Sequence, residues 1–324
     1  MAYSLDSFYG ILCSGLTEKT KLSFISSNSS FTECKTNHLS GHSFFSSFSS
    51  HRNSACSPSP IEDQQVSNEN CTYYSGSHTF INCSWDNAES INTGCAIYFL
   101  LYSPDSSASL NIKRCSFFHC HSSGTVAGGA IHVQYIHSIT ISASVFYDCS
   151  CGSYESFEGG AILLSYINSQ TSIKDCLFLF CESPDDGGAC GIYYCDSSLL
   201  YTVDSCCYIQ CKGIEDGNSQ GGGIMFFQNP GNQASTNCLF SKLEAYYGGA
   251  IYLNLPNYIP NSFPVKFCFF NKNSKLTTGY GNDACFYELT PNNHDAMFEH
   301  SFSTSDSYRV GYFDNNHWDR TDVD

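Results

Sequence analysis

An aromatic residue recurs along this chain at a nearly constant interval. Its eight copies are Trp85, Phe117, Phe146, Phe178, Tyr208, Phe240, Phe270 and Phe302. The intervals between successive copies are 32, 29, 32, 30, 32, 30 and 32 residues. A fixed period of this length is typical of repeat architectures, in which each unit packs only on its neighbours. The sequence therefore predicts a stack of about seven to eight similar units.

Small or thiol residues accompany this aromatic at two fixed offsets. Two residues before it stand Cys83, Cys115, Ser144, Cys176, Cys206, Cys238, Cys268 and His300. Three residues after it stand Ala88, Cys120, Cys149, Cys181, Cys211, Leu243, Asn273 and Ser305. If the units stack in register, these positions form two columns composed mainly of thiols.

A second motif, Gly-Gly-Ala-Ile, alternates with the first at 128–131, 159–162 and 248–251. After the first copy, Ile131 and Val133 fall on one face, and period two indicates a β-strand. Parallel strands cannot be joined by tight hairpins, so the chain is expected to coil, with successive turns about 4.8 Å apart. The expected fold is all-β, a single-stranded right-handed parallel β-helix. The Gly pair is expected where the coil turns sharply, either with positive φ or with no room for a Cβ.

The regular pattern does not cover the whole chain. Residues 1–79 are predicted to form one or more irregular coils with a Ser-rich loop, residues 80–305 the β-helix, and residues 306–324 a C-terminal cap or tail. Caps at both ends are expected because a bare coil exposes unpaired strand edges that promote aggregation.

Charge and hydropathy exclude several classes of partner. The chain has 14 Lys and Arg against 30 Asp and Glu, so no basic patch for nucleic acid is expected. The most apolar stretch, 95–102, is too short for membrane insertion. The N-terminus has no basic segment followed by an apolar one, which favours a cytoplasmic location with its twenty cysteines reduced. Sequons at Asn28, Asn70 and Asn82 leave an extracellular or cell-surface location open.

The alternation of Gly-Gly-Ala-Ile with Phe-x-x-Asn-like units resembles the repeats of the chlamydial polymorphic outer-membrane proteins and similar arrays in parasitic protists. These belong to the pectin-lyase-like β-helix class. The resemblance spans roughly residues 80–305. The Asn of Phe-x-x-Asn is present only at Asn273, and Cys occupies most of the equivalent positions. The resemblance implies a β-helix and a surface or adhesive role.

The thiol columns allow three interpretations. Zinc needs four ligands around one centre, and the best candidates are Cys115, His119, Cys120 and His121. Disulfides between neighbouring turns are a second possibility, although their Cβ separation near 3.8 Å is shorter than the strand spacing. We favour the third interpretation, in which Cys is a small apolar filler of a narrow coil.

Acidic residues precede the Gly turn on successive repeats. They are Glu155, Glu158, Asp185, Asp186, Glu215, Asp216 and Glu244. Stacked in register, these carboxylates would share one edge and could bind Ca²⁺ or a basic protein surface. We favour the simpler interpretation that they are solvated loop residues that discourage aggregation.

The sequence contains no convincing catalytic set. Lyases on this fold need a Ca²⁺-binding carboxylate set with a Lys or Arg base, but Arg occurs only at 52, 114, 309 and 320. No catalytic residue and no cofactor is expected. The favoured function is a rigid, non-enzymatic β-helix scaffold that binds protein partners through loops or the acidic edge, within a larger intracellular assembly such as the cytoskeleton. The alternatives are an extracellular adhesin and, less favoured, a polysaccharide-active enzyme.

Overall fold

The computed structural model divides the chain into two compact units, Met1–Phe48 and Ser49–Asp324. Side chains are described over residues 71–285, except for 74, 91–95, 102–107, 124–127, 153–157, 195–200, 215–218, 228–234, 255–264 and 277–280. Outside that range only backbone strands are described. In the first unit these are two antiparallel pairs, Lys21–Leu22 with Cys34–Lys35 and Ile25–Ser26 with Ser29–Ser30.

In the second unit, equivalent strands of successive turns stack into four large sheets. Each turn of the chain contributes one strand to sheets 1, 2, 3 and 4 in that order. Sheet 1 consists of Cys71–Tyr73, Ile97–Leu100, Ile131–Gln134, Ile162–Ser165, Cys190–Tyr193, Ile224–Phe227, Ile251–Asn254, Ala284–Tyr287, Tyr308–Asp314 and His317–Val323. Sheet 2 consists of Ile61–Glu62, Ser77–Ile81, Ser109–Lys113, Ser138–Ser142, Thr171–Lys174, Leu200–Asp204, Asn232–Thr236 and Val265–Lys266.

The other two sheets have shorter strands. Sheet 3 consists of Gln65–Ser67, Ser84–Asp86, Ser116–Phe118, Val145–Tyr147, Leu177–Leu179, Cys207–Ile209, Leu239–Ser241, Phe269–Asn271 and Phe302–Ser303. Sheet 4 consists of Glu89–Ser90, His121–Ser122, Ser150–Cys151, Glu182–Ser183, Lys212–Gly213, Glu244–Tyr247 and Ser274–Tyr280.

The expected parallel β-helix is confirmed, because each strand pairs in parallel with its equivalent one turn away. Phe117, for example, pairs with Trp85 on one side and Phe146 on the other. The number of turns differs slightly from the expected seven to eight: sheet 3 holds nine strands and sheet 4 seven. Parallel pairing includes Ile61–Glu62 and Gln65–Ser67, which lie before residue 80. At the C-terminal end, His317–Val323 pairs antiparallel with Tyr308–Asp314.

The repeated aromatic residues point into the coil and stack on one another. Neighbouring rings from Trp85 to Phe270 lie 4.7–5.1 Å apart with interplanar angles of 1–11°. All seven side chains of this aromatic ladder are buried. The ring spacing equals the distance between paired strands, so backbone pairing itself sets the stacking distance.

Two of the corners of each turn are made by residues with positive φ that are not glycine. One residue of this kind precedes each member of the first thiol column, namely Asn82, Arg114, Ala143, Asp175, Ser205, Asn237 and Phe267. Another precedes each member of the second column, namely Asn87, His119, Asp148, Phe180, Gln210, Lys242 and Lys272. A single left-handed residue bends the chain sharply from one sheet to the next, which permits strands of only three residues.

The Gly motif occupies a third corner, where both expected reasons for glycine occur. Gly221 and Gly248 have positive φ, at 70° and 64°. At Gly159, an added Cβ would lie 1.9 Å from the carbonyl oxygen of Ile162. No side chain fits so close to the backbone.

The thiol columns line the interior of the coil. The described cysteines are all in the thiol form, and the members of both columns from Cys83 to Asn273 are buried. The Cys149 thiol donates to the carbonyl oxygen of Phe117 one turn away, at 3.6 Å. At the equivalent position, the Asn273 amide donates to the carbonyl oxygen of Phe240 at 3.2 Å. The thiol therefore replaces the Asn of the repeat motif as a donor to the preceding turn, in addition to filling space.

Candidate functional site

A second buried cluster lies outside the coil, on the outer face of sheet 1. Side chains alternate along these strands, so that Ile162 and Leu164 enter the main core while Leu163 between them faces outward. The outward positions are nevertheless buried and apolar, and this outer cluster consists of Leu163, Tyr193, Met225, Tyr252 and Cys285.

The segments that approach the Gly corner cover this outer face. Ala127–Gly128 pairs in parallel with Glu158–Gly159, and Asp186, Gln220 and Tyr247 form successive bridges on the next turns. The covering layer lies very close to the sheet: a Cβ added at Gly191 would lie 1.8 Å from the carbonyl oxygen of Glu158. This layer carries three of the acidic residues that the sequence placed on an edge, Glu158, Asp185 and Asp186.

Three of those carboxylates are buried together. Glu158, Asp185 and Asp186 are 0 %, 8 % and 5 % exposed. The Oε2 atom of Glu158 accepts hydrogen bonds from the Ser183 hydroxyl at 2.9 Å and from the backbone N–H of Asp185 at 3.1 Å. Glu158 thereby joins its own turn to the next one, since Ser183 and Asp185 lie one coil further on.

Tyr193 connects the carboxylates to sheet 1. Its hydroxyl oxygen lies 3.0 Å from Oδ2 of Asp186 and 3.1 Å from the carbonyl oxygen of Glu158, and it accepts a hydrogen bond from the N–H of Glu158 at 3.1 Å. In the described part of the structure, the other carboxylate oxygen of Asp186, Oδ1, is buried and accepts no hydrogen bond.

Burial favours the protonated form of Asp186. It raises the pKa of Asp186 well above its ordinary value, and the nearby charge of Asp185 and that of Glu158 raise it further, while the Tyr193 hydrogen bond acts in the opposite direction. Burial and the charge of Glu158 likewise raise the pKa of the Cys151 thiol. A thiol that stays protonated is a poor nucleophile, so the arrangement favours hydrogen bonding between turns over covalent chemistry.

The expected solvent-facing acidic edge is therefore corrected at three positions, Glu158, Asp185 and Asp186, where the covering layer folds back on sheet 1. Glu244 is partly exposed on sheet 4. Glu155, Glu215 and Asp216 lie outside the described residues. A pattern of acidic residues before Gly does not distinguish an exposed loop from one packed against a sheet.

The four zinc candidates do not converge. Cys115 and Cys120 point into the coil and are buried, whereas the ring of His119 is 39 % exposed. His119 lies between two carboxylates, with Nδ1 3.2 Å from Asp86 and Nε2 3.9 Å from Asp148. Among the residues that the structure describes, no three His, Cys, Asp or Glu side chains are grouped to hold a metal ion.

His132 is a buried polar residue that the sequence analysis missed. It is 3 % exposed on the outer face of sheet 1, and its ring lies 5.1 Å from that of Tyr98. Within the described residues neither ring nitrogen has a hydrogen-bond partner. Burial lowers the pKa of His132 to about 4. Its position directly after Ile131 in an alternating strand is the one sequence signal that could have placed it on the outer face.

In comparisons with known proteins, no family model, no curated protein and no solved structure matches this chain. Within the described residues, no helix has the length and apolar character needed to cross a bilayer. The sequence and geometry of the chain itself therefore carry the functional argument.

Proposed function

We propose that the chain is a non-enzymatic structural protein, a rigid β-helix scaffold that binds protein partners within a larger intracellular assembly, for example of the cytoskeleton. The observation that carries this proposal is the aromatic ladder from Trp85 to Phe270, whose rings stack at 4.7–5.1 Å through successive turns. Such a ladder makes each turn depend on its neighbours, so the stack resists bending and presents its surfaces at fixed spacing.

The hydrogen bonds of the carboxylates support a structural role. A catalytic acid or base needs access to a substrate, whereas Glu158 is fully buried and accepts hydrogen bonds from the next turn. Tyr193, which could otherwise serve as a proton donor, is likewise buried and bonded to the covering layer. These groups hold the covering layer on sheet 1.

The cysteines support the intracellular part of the proposal. Those that the structure describes are thiols, and several donate to carbonyl oxygens, as Cys176 does to that of Lys174 at 3.2 Å. Reduced thiols persist in the cytosol, whereas secreted proteins with many cysteines form disulfides.

An extracellular adhesin-like role is the second candidate, because the repeats resemble those of the polymorphic outer-membrane proteins. Asn82, one of the three sequons, is partly exposed, which is compatible with this role. Its side-chain oxygen accepts a hydrogen bond from Nε of Arg114 on the next turn at 2.6 Å. A glycan on the amide nitrogen would have to leave this contact in place.

The test uses protein from its native source. A native extract is separated by size, and the same fractions are denatured without reductant, alkylated and read by mass spectrometry. We expect elution well above the 35.8 kDa of the chain, alkylation of most of the twenty cysteines and an unmodified Asn82. Paired cysteines with sugar on Asn82 would replace the intracellular role with the adhesin. A monomer that depolymerises acidic polysaccharide would overturn the non-enzymatic proposal.

A further inference from the structure

The outer faces of sheets 2 and 3 differ on the same turns. On sheet 2 the outward side chains are polar apart from Ile81, and they include the exposed Asn111, Lys113, Thr140 and Lys174. On sheet 3 the first outward position carries Ser84 and Ser116 on the first two turns and then Val145, Leu177, Cys207, Leu239 and Phe269. We call the last five of these residues the outer apolar column.

The outer apolar column is accessible to solvent. Phe269 is 38 % exposed, and Val145, Leu177 and Leu239 are partly exposed. The inward residues of the same strands are the fully buried ladder aromatics, so the column is additional to what the core needs. Parallel sheets are usually covered on both faces, and a contiguous exposed apolar strip marks an interaction surface.

Charge is distributed unevenly along the corner that borders this face. On the first turn Asp86, directly before the corner residue Asn87, is 44 % exposed, and on the third turn the corner residue Asp148 is 49 % exposed, with His119 between them. On the sixth and seventh turns the corner residues are Lys242 and Lys272. The edge of the face is therefore acidic at one end and basic at the other.

Two copies can face each other across a twofold axis that runs parallel to the strands. This arrangement accounts for both the outer apolar column and the uneven charge along its edge. This axis reverses the direction of the stack and leaves each edge of the face on its own side. Each corner column therefore lies against the same column of the other copy, in the reverse order of turns. The acidic end of one copy then faces the basic end of the other, twice per dimer. The apolar columns lie against each other between these charged ends, as an isologous interface requires.

We propose that the chain self-associates through the outer face of sheet 3, as an antiparallel homodimer in which the Asp86 turn of each copy faces the Lys272 turn of the other. The proposal rests on the scaffold role and names one of its partners, a second copy of the chain.

The size of the face sets the strength of this dimer. Seven turns about 4.8 Å apart, each with five residues of about 3.3 Å across the strand and its corners, give about 1,000 Å² buried in total. This is at the low end of specific interfaces, so we expect a reversible dimer with a Kd of about 10–100 µM.

The test is sedimentation velocity of the purified full chain and two charge variants over a concentration series. The first variant is Asp86→Lys, which makes both ends of this edge basic. The second is Lys242→Asp with Lys272→Asp, which makes both ends acidic. We expect each variant alone to lose self-association by about tenfold or more. An equimolar mixture should regain it, since opposite charges then face each other at both ends.

Two further variants separate the apolar contribution from a general charge effect. Leu239→Asp should abolish the dimer, because it places a carboxylate within the outer apolar column. Asn111→Lys with Thr140→Lys adds two charges to the outer face of sheet 2 and should leave the dimer unchanged. The far-ultraviolet circular dichroism of every variant is recorded to show that it is folded.

The proposal is overturned if the wild-type chain stays monomeric up to about 1 mM, well above the expected range. It is also overturned if the two charge variants dimerise as well alone as when mixed. The experiment uses purified protein, so a monomeric result leaves the size and thiol state measured in native extract untouched. A large native assembly would then contain other partners.

Discussion

The interior of the coil and the covering layer on sheet 1 are both buried, but they are stabilised differently. The interior repeats the same side-chain contact on every turn, so that Phe146 stacks on Phe178, and Phe178 on Tyr208, at nearly identical ring distances. The covering layer packs on sheet 1 with a different residue on every turn, and the buried titratable groups here are Asp186 in the layer and His132 on the outer face of the sheet. The interior should therefore respond to changes in packing volume, and the covering layer to pH.

The largest expected effect is in the interior. Phe178→Ala should lower the free energy of unfolding by about 4 kcal/mol, because it removes a fully buried ring between two stacked neighbours. Unfolding in guanidinium chloride, in dilute solution, measures this loss. Leu177→Ala on the same strand is the matched control and should cost about 1 kcal/mol or less, since Leu177 is partly exposed. Equal losses at the two positions would contradict the distinction between the inner and outer faces.

The next effect is acid sensitivity of the covering layer. The pKa of His132 is about 4 in the folded chain and 6.5 in the unfolded one, so the unfolded chain binds the proton first. Stability should therefore be lost as the pH falls from 6.5 towards 4, by up to about 3 kcal/mol. His132→Leu should remove this dependence, because leucine does not titrate. A leucine is suited to this site, since Leu163 occupies the paired position on the next turn.

Denaturant midpoints between pH 4 and pH 7 measure the effect of His132. The control is His137→Leu, which replaces a partly exposed histidine and should leave the pH dependence in place. If the two variants show the same profile, the acid sensitivity does not come from His132.

The smallest effect has the opposite sign. The pKa of Asp186 is raised by burial and by neighbouring carboxylates, so the folded chain holds a proton that the unfolded chain releases above pH 3.8. The stability that Asp186 contributes should therefore be present below pH 3.8 and fall as the pH rises above it. Asp186→Asn keeps an acceptor for the Tyr193 hydroxyl and removes the titration, so it should be as stable as the wild type at pH 7, or more so. A large loss at pH 7 would show that the carboxylate charge itself is needed.

Asp204 provides a control for the sign of that effect. Burial acts to raise its pKa, but hydrogen bonds from Thr236 and Asn237 and the charge of Lys174 lower it overall. The stability that Asp204 contributes is present above pH 3.8 and is lost below it. Asp204→Asn should therefore destabilise the chain at pH 7, in contrast to Asp186→Asn. Thermal unfolding of the two variants at pH 7 measures this difference.

The repeat alone predicted the interior. A period of 29–32 residues with one aromatic, flanked at fixed offsets by small residues, leaves few folds other than a stack of coils. The Gly corner was also predictable, because glycine is the residue that fits where backbones approach closely. The corners made by other residues were not, since Arg114, His119 and Phe180 give no local sign of positive φ.

The covering layer could not be predicted, because its burial depends on contacts between distant parts of a turn. Glu158 and Asp186 follow the same acidic pattern as an exposed loop, and only the return of their segment onto sheet 1 removes them from water. The outer apolar column has the same spacing as the aromatic ladder, but its residue type changes from Val145 to Phe269 and its first two turns carry Ser84 and Ser116, so no repeated residue marks it in the sequence.

The sequence by itself determined the coil, its period and the residues that fill it, because periodic burial requires periodic side chains. The tertiary structure decided which polar groups are buried, which faces remain exposed and how charge lies along each edge. These properties depend on how a segment folds back over a neighbouring sheet and on the register between turns. Both arise only once the coils are stacked.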